Sequence, residues 1–139
     1  LAAEGQALRI VDDQIGSPTW AGAIAEATLK IIDKTNATAI PAMLAKLGGI
    51  YHVSAAGATS WCGFARAIVE RQWAQMAAGN GEGDGEARGS APDVVPIATA
   101  EYPTKAARPA FSVLDNRAAA QAFDVTMAGW RDQLDRCLS

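Results

Sequence analysis

Apolar and polar positions fall into short runs that predict the elements of this chain. Leu8-Arg9-Ile10-Val11 is apolar and β-favouring and stops at Asp12-Asp13, so it predicts a strand over residues 8–11. A helix-start signal follows: Ser17 to cap, Pro18 for the first helical position, then apolar residues at helical spacing. The helix is predicted over 18–34, with Trp20, Ile24, Ala27 and Ile31 on its inner side, Ile32 as a further candidate for it, and Glu26–Lys30 as an i,i+4 pair. Residues 1–7 read as a fraying helix end stopped by Gly5, and Pro41 to Leu47 as a helix closed by Gly48-Gly49. Ile50 to Ser54 alternates and is bounded by glycines, which predicts a second strand. Thr59 or Ser60 then caps the most periodic helix of the chain, with Trp61, Phe64, Ala65, Ile68, Val69, Trp73 and Met76 as its apolar face.

Residues 79–90 break the pattern. Glycines alternate there with Asn80, Glu82, Asp84 and Glu86, leaving almost nothing to bury, and a flexible loop is expected. Its glycines match no G-x-G-x-x-G pattern, and its carboxylates would repel a phosphate. Beyond it, Val94 to Ile97 is a short extended piece, and Pro103 and Pro109 keep residues 101–109 irregular. Ser112 to Asn116 is extended, Asp115 or Asn116 caps a helix over 117–123, and a last helix spans Trp130 to Leu138. Its apolar residues are Trp130, Leu134, Cys137 and Leu138, and Arg131–Asp135 and Asp132–Arg136 are its i,i+4 pairs.

Composition narrows the class. The 139 residues, 50% hydrophobic, suffice for one domain with a real core. A net charge of -3 makes no case for nucleic acid or an anionic membrane. No apolar run reaches the ~20 residues of a membrane span, and Leu1 to Gly5 lacks the basic start of a signal peptide, so a cytoplasmic place is expected. Cys62 and Cys137 read as two unrelated buried thiols in preference to a disulfide, and with one histidine they make no usual zinc site. The first methionine is Met43, so the chain reads as processed or as a fragment.

A strand that ends in a polar turn and feeds a helix is the usual place for a ligand cleft in an α/β protein. Here that turn belongs to the string VDDQIGSPTWAGAIAEA, from Val11 to Ala27, which resembles the corresponding stretch of dTDP-4-dehydrorhamnose reductases. Three further blocks resemble that family in order and spacing: GIYHVSAAGATSWCGFARAI (49–68), EYPTKAARPAFSVLDN (101–116) and WRDQLDRCL (130–138). The likeness is to the family's C-terminal half. It implies an α/β fold: the C-terminal portion of an extended short-chain dehydrogenase, with the last Rossmann strands plus a small, mostly helical substrate-binding domain. Residues 1–139 would then be the substrate-binding portion, without the N-terminal NAD(P)-binding Rossmann part.

The resemblance also implies roles. Arg108 matches an arginine that reaches the nucleotide diphosphate, a task suited to its planar, permanently charged fork; alternatively it orders the Pro-rich turn. Gln14, Ser17 and Thr19 would line the cleft, although turn and capping chemistry explains Ser17 as well. Trp61 either stacks on a base or sugar or belongs to the core, and His52 reads as a structural histidine within its strand. Gly22-Ala23, Lys105, Ala107 and Phe111 depart from the family pattern, which bears on fine specificity.

Reductases of this superfamily use a Tyr-x-x-x-Lys pair. Tyr51 is followed four residues on by Ala55, and Tyr102 by Ala106, so neither fits. The sequence has no Gly-rich dinucleotide turn either. The expectation is therefore a dTDP-sugar-binding part of a reductase that uses NADPH or NADH when complete. This chain alone would bind no cofactor or metal, carry no catalytic residue and be inactive. Its partners would be the missing half or another subunit, with self-association through an uncovered sheet edge, and neither nucleic acid nor membrane. Two other readings stay open: another extended-family sugar-nucleotide epimerase or reductase, and a non-catalytic binding or regulatory module.

Overall fold

The computed structural model describes residues 7–34, 46–78 and 90–139. The expected 79–90 loop lies outside these residues except for Ser90, as do residues 1–6 of the helix end expected over 1–7 and most of the helix expected before Gly48. The chain divides into two compact units, Leu1–Gly16 with Thr59–Ser112, and Ser17–Ala58 with Val113–Ser139.

The first unit is α/β. Strand β1 (Leu8–Val11) pairs in parallel with β4 (Val94–Ile97), in the register Leu8↔Val94 to Val11↔Ile97. Pro96 has no N–H to donate, and it is exposed while Val94 and Ile97 are buried. Two-residue strands β2 (Ile15–Gly16) and β3 (Thr59–Ser60) pair antiparallel, and Phe111 runs parallel beside Ile15. Helix α2 (Trp61–Ala78) packs on β1 and β4. Ser60 caps it as expected, its hydroxyl accepting from the Gly63 amide at 2.9 Å. The helix buries the apolar face that periodicity predicts only in part. Cys62 and Ala67 are buried, whereas Trp61 and Met76 are more than half exposed. Phe64, Ala65, Ile68, Val69 and Trp73 of that face are half-buried.

The second unit centres on Ala23, Ala27, Val125 and Met127, with Trp20, Ile24, Ile31, Val53 and Phe123 packed around them. Helix α1 spans Ala21–Lys34, three residues shorter at its start than predicted. The Trp20 carbonyl accepts from the amides of Ala23 and Ile24, and the Trp20 amide is met by the Gln133 side chain at 3.0 Å. Ser17 is therefore not the cap; its hydroxyl donates to the Gly57 carbonyl at 2.6 Å. Glu26 pairs with Arg136 of the last helix, with Lys30 adding a smaller electrostatic attraction. Helix α3 (Arg117–Phe123) matches its prediction and ends at Asp124, which is left-handed with φ 52°. Helix α4 (Trp130–Cys137) buries Trp130, Gln133 and Leu134, while Cys137 is exposed, contrary to expectation. Both cysteines are free thiols, Cys62 alone being buried.

Residues 50–54 form no strand. The Asn116 amide takes the place of a neighbouring strand: its oxygen accepts from the Ser54 amide at 3.1 Å, and its nitrogen donates to the Ser54 carbonyl at 2.6 Å. Two residues on, Ala56 exchanges backbone hydrogen bonds with Ala128 and Trp130. His52 is exposed in this segment, so it is not a core histidine.

Candidate functional site: a groove at the end of β1

The first unit holds a groove of about 340 Å³. Arg9, Ile10 and Val11 of β1 line it, with Gln14 from the turn, Trp61 from the start of α2, and Tyr102, Thr104 and Arg108 from the Pro-rich segment. The Arg9 guanidinium donates to Glu101 at 2.9 Å. Glu101 also accepts from the Ala98 amide at 3.0 Å, which ties Arg9 to the 3₁₀ turn Thr99–Glu101. Residues 101–112 are all exposed, as two prolines and a turn closed by Thr104 (hydroxyl to the Ala106 carbonyl, 2.8 Å) would dictate.

The two aspartates after β1 both brace the site. Asp12 accepts from the Ser60 hydroxyl, joining the strand end to the α2 cap. Asp13 accepts from the Thr99 amide at 3.0 Å and from the Thr99 hydroxyl at 2.6 Å. These bonds, the hydroxyl's foremost, hold the Asp13 carboxyl below its ordinary value and ionised at neutral pH. Thr99 in turn accepts from the Gln14 amide nitrogen at 2.9 Å, and Gln14 is only 8% exposed.

The arrangement suits an anionic ligand with a flat or apolar part. Arg9 is committed to Glu101, whereas Arg108 forms no ion pair among the described residues and is exposed on the groove wall. Trp61 keeps 53% of its surface open beside it, which favours a stacking surface over the core position. Three of the five residues singled out in the sequence, Gln14, Trp61 and Arg108, thus line one groove. Ser17 and Thr19 are not among its lining residues. They belong to the second unit, where the Thr19 hydroxyl donates to the Ser17 carbonyl and accepts from the Ala55 amide, both at 2.9 Å. Sequence reasoning missed Tyr102 and Thr99; Tyr102 lies within the stretch 101–116 that resembles the family, while Thr99 has no local signal.

The turn after β1 does not fit a dinucleotide pyrophosphate. It carries two carboxylates where a phosphate loop needs bare amides.

A parallel strand pair covered by a helix, with an arginine-bearing groove at its end, defines an α/β ligand-binding portion. The family model described as RmlD substrate binding domain matches residues 1–139, and the chain belongs to that family. A dTDP-4-dehydrorhamnose reductase of Burkholderia thailandensis is 40% identical over 99% of the chain and 43% of its own length. The spore coat polysaccharide biosynthesis protein SpsK of Bacillus subtilis is 36% identical over 96% of the chain and 37% of its own length. Among solved structures, a dTDP-4-dehydrorhamnose reductase from Clostridium acetobutylicum superposes with a TM-score of 0.70 at 26% identity, over 98% of this chain and 39% of that one. The Bacillus anthracis reductase, solved in complex with NADP, gives 0.67 at 28% identity, again over 98% and 39%. The chain therefore spans about two fifths of the length of these relatives, and the expected α/β class stands.

Proposed function

We propose that this chain is the sugar-nucleotide-binding part of a cytoplasmic, NAD(P)H-dependent dTDP-4-dehydrorhamnose reductase, which reduces the 4-keto group of dTDP-4-dehydro-L-rhamnose. The observation that carries the reading is the convergence of Arg108, Trp61 and Gln14 on one groove in a chain matched throughout by a substrate-binding-domain family. Arg108 holds the diphosphate through charge-assisted hydrogen bonds, Trp61 offers its face to a ring, and Gln14 supplies a polar contact. The hydride donor and the proton donor come from another part of the protein, because the turn here repels a pyrophosphate and neither tyrosine has its lysine. Among the described residues β1 pairs only with β4, and its other edge is where that part, or a second copy, adds its strands.

The test is Arg108→Ala in the protein that carries this chain. Calorimetric affinity for a dTDP-sugar should fall roughly tenfold or more, as expected for a charged hydrogen bond to phosphate, while NADPH affinity stays as in the parent. Equal dTDP-sugar affinity in both proteins removes Arg108 from the site.

A further inference from the structure

Gln14 is the most buried polar residue of the groove, and its side-chain amide has two unlike ends. Which end faces a ligand decides what the groove selects. The bonds around Thr99 settle this by counting protons. The ionised Asp13 carboxylate can only accept, so the single proton of the Thr99 hydroxyl, 2.6 Å away, goes to Asp13. The Thr99 oxygen is then left with lone pairs alone, so its partner at 2.9 Å must be a donor, which is the Gln14 nitrogen. The Gln14 oxygen is the remaining end, with no partner among the described residues.

We infer that the Asp13–Thr99 pair is a positioning device that locks the Gln14 amide so that its oxygen is presented to the groove, where it selects a hydrogen-bond donor on the ligand. Gln14 is the contacting residue; Asp13 and Thr99 act through it. The inference rests on the groove being the dTDP-sugar site. In such a ligand the donors are the base imide N–H and the sugar hydroxyls, and both share the chemistry that the Gln14 oxygen requires. The groove's arginines offer only donors, so this oxygen complements them and rejects a ligand that brings an acceptor to the same point.

The experiment measures binding of dTDP, N3-methyl-dTDP and dTDP-L-rhamnose by calorimetry to the protein carrying this chain. The variants are Gln14→Met, Thr99→Val, Thr99→Ser, Asp13→Ala and the double variant Gln14→Met/Thr99→Val. Gln14→Met should weaken binding about three- to tenfold, as for one neutral hydrogen bond. Thr99→Val and Asp13→Ala should weaken it in the same direction, because either lets the amide turn over, and Thr99→Ser should restore parent affinity. The double variant should match Gln14→Met alone, which a merely structural role for Thr99 would not produce. If the base is the donor, N3-methylation of dTDP weakens binding to the parent and leaves Gln14→Met indifferent. If the sugar is the donor, Gln14→Met loses affinity for dTDP-L-rhamnose and not for dTDP. Parent binding that Gln14→Met leaves unchanged for every probe overturns this inference alone, as does additivity in the double variant. A parent that binds none of the probes overturns the proposed function with it.

Discussion

Replacing Gln133 by leucine should destabilise the second unit by about 2–4 kcal/mol, from roughly 1–2 kcal/mol for each backbone group left without a partner. Gln133 is 1% exposed and is one of the two largest side chains shut off almost wholly from solvent. Its oxygen accepts from the Trp20 amide at 3.0 Å, at the start of α1, and its nitrogen donates to the Ala128 carbonyl at 2.9 Å. Leucine keeps most of the volume, so little packing is lost, and the cost comes almost entirely from the orphaned amide and carbonyl. Trp20 is only partly buried, so water reaches its amide after some local opening, which keeps the total in the lower half of the range for two buried groups. Urea unfolding should show a lower midpoint with an unchanged slope, and hydrogen exchange at the Trp20 amide should accelerate. Gln133→Glu provides a pH-dependent control. The carboxylate still accepts from Trp20 but faces the Ala128 carbonyl with a negative oxygen, while the protonated acid can donate to it. Its folded pKa is therefore raised, and its stability should be greatest below the unfolded value of about 4.3 and fall as pH rises through the raised one. A Gln133→Leu variant within about 0.5 kcal/mol of the parent, a typical surface-substitution effect, would refute the reasoning.

Three further outcomes are expected. The Asp115 carboxyl is pushed down to about 2, first by the Arg117 side chain and then by the Arg117 amide. Its contribution to stability is thus present above the unfolded value of about 3.9 and is lost as pH falls towards 2; carbon-detected NMR titration of Arg117→Gln should show the midpoint moving up. Asn116→Ala should cost roughly 2–3 kcal/mol by orphaning the amide and carbonyl of Ser54, seen as a lower melting temperature and faster exchange at Ser54. Gly57 has φ 82° and would bring a Cβ to 3.3 Å from the Trp130 ring; Gly57→Ala should lose about 1–2 kcal/mol, and an unchanged melting temperature would contradict the left-handed backbone.

Local chemistry determined a good part of this protein from sequence alone. The Leu8–Val11 strand, the Ser60 cap, α3 over Arg117–Phe123 and the start of α4 at Trp130 each depend on residues within a turn or two of one another, and each formed where the pattern placed it. Block order and residue chemistry also marked Gln14, Trp61 and Arg108 as candidates, although their nearness to one another in a single groove was not legible. Tertiary structure decided the rest through contacts between residues far apart in the chain. Ile50 to Ser54 has a strand's alternation, yet Asn116, 62 positions away, bonds to Ser54 at both its amide and its carbonyl. Trp61 has a core residue's spacing, yet the helix buries Cys62 and Ala67 and leaves Trp61 more than half exposed. Ser17 has a cap's chemistry, yet Gly57 takes its hydroxyl while Gln133 meets the helix start. Periodicity reports which residues share a face and side-chain chemistry reports what each can bond. Which face is covered and which partner is met depend on elements that only folding brings together.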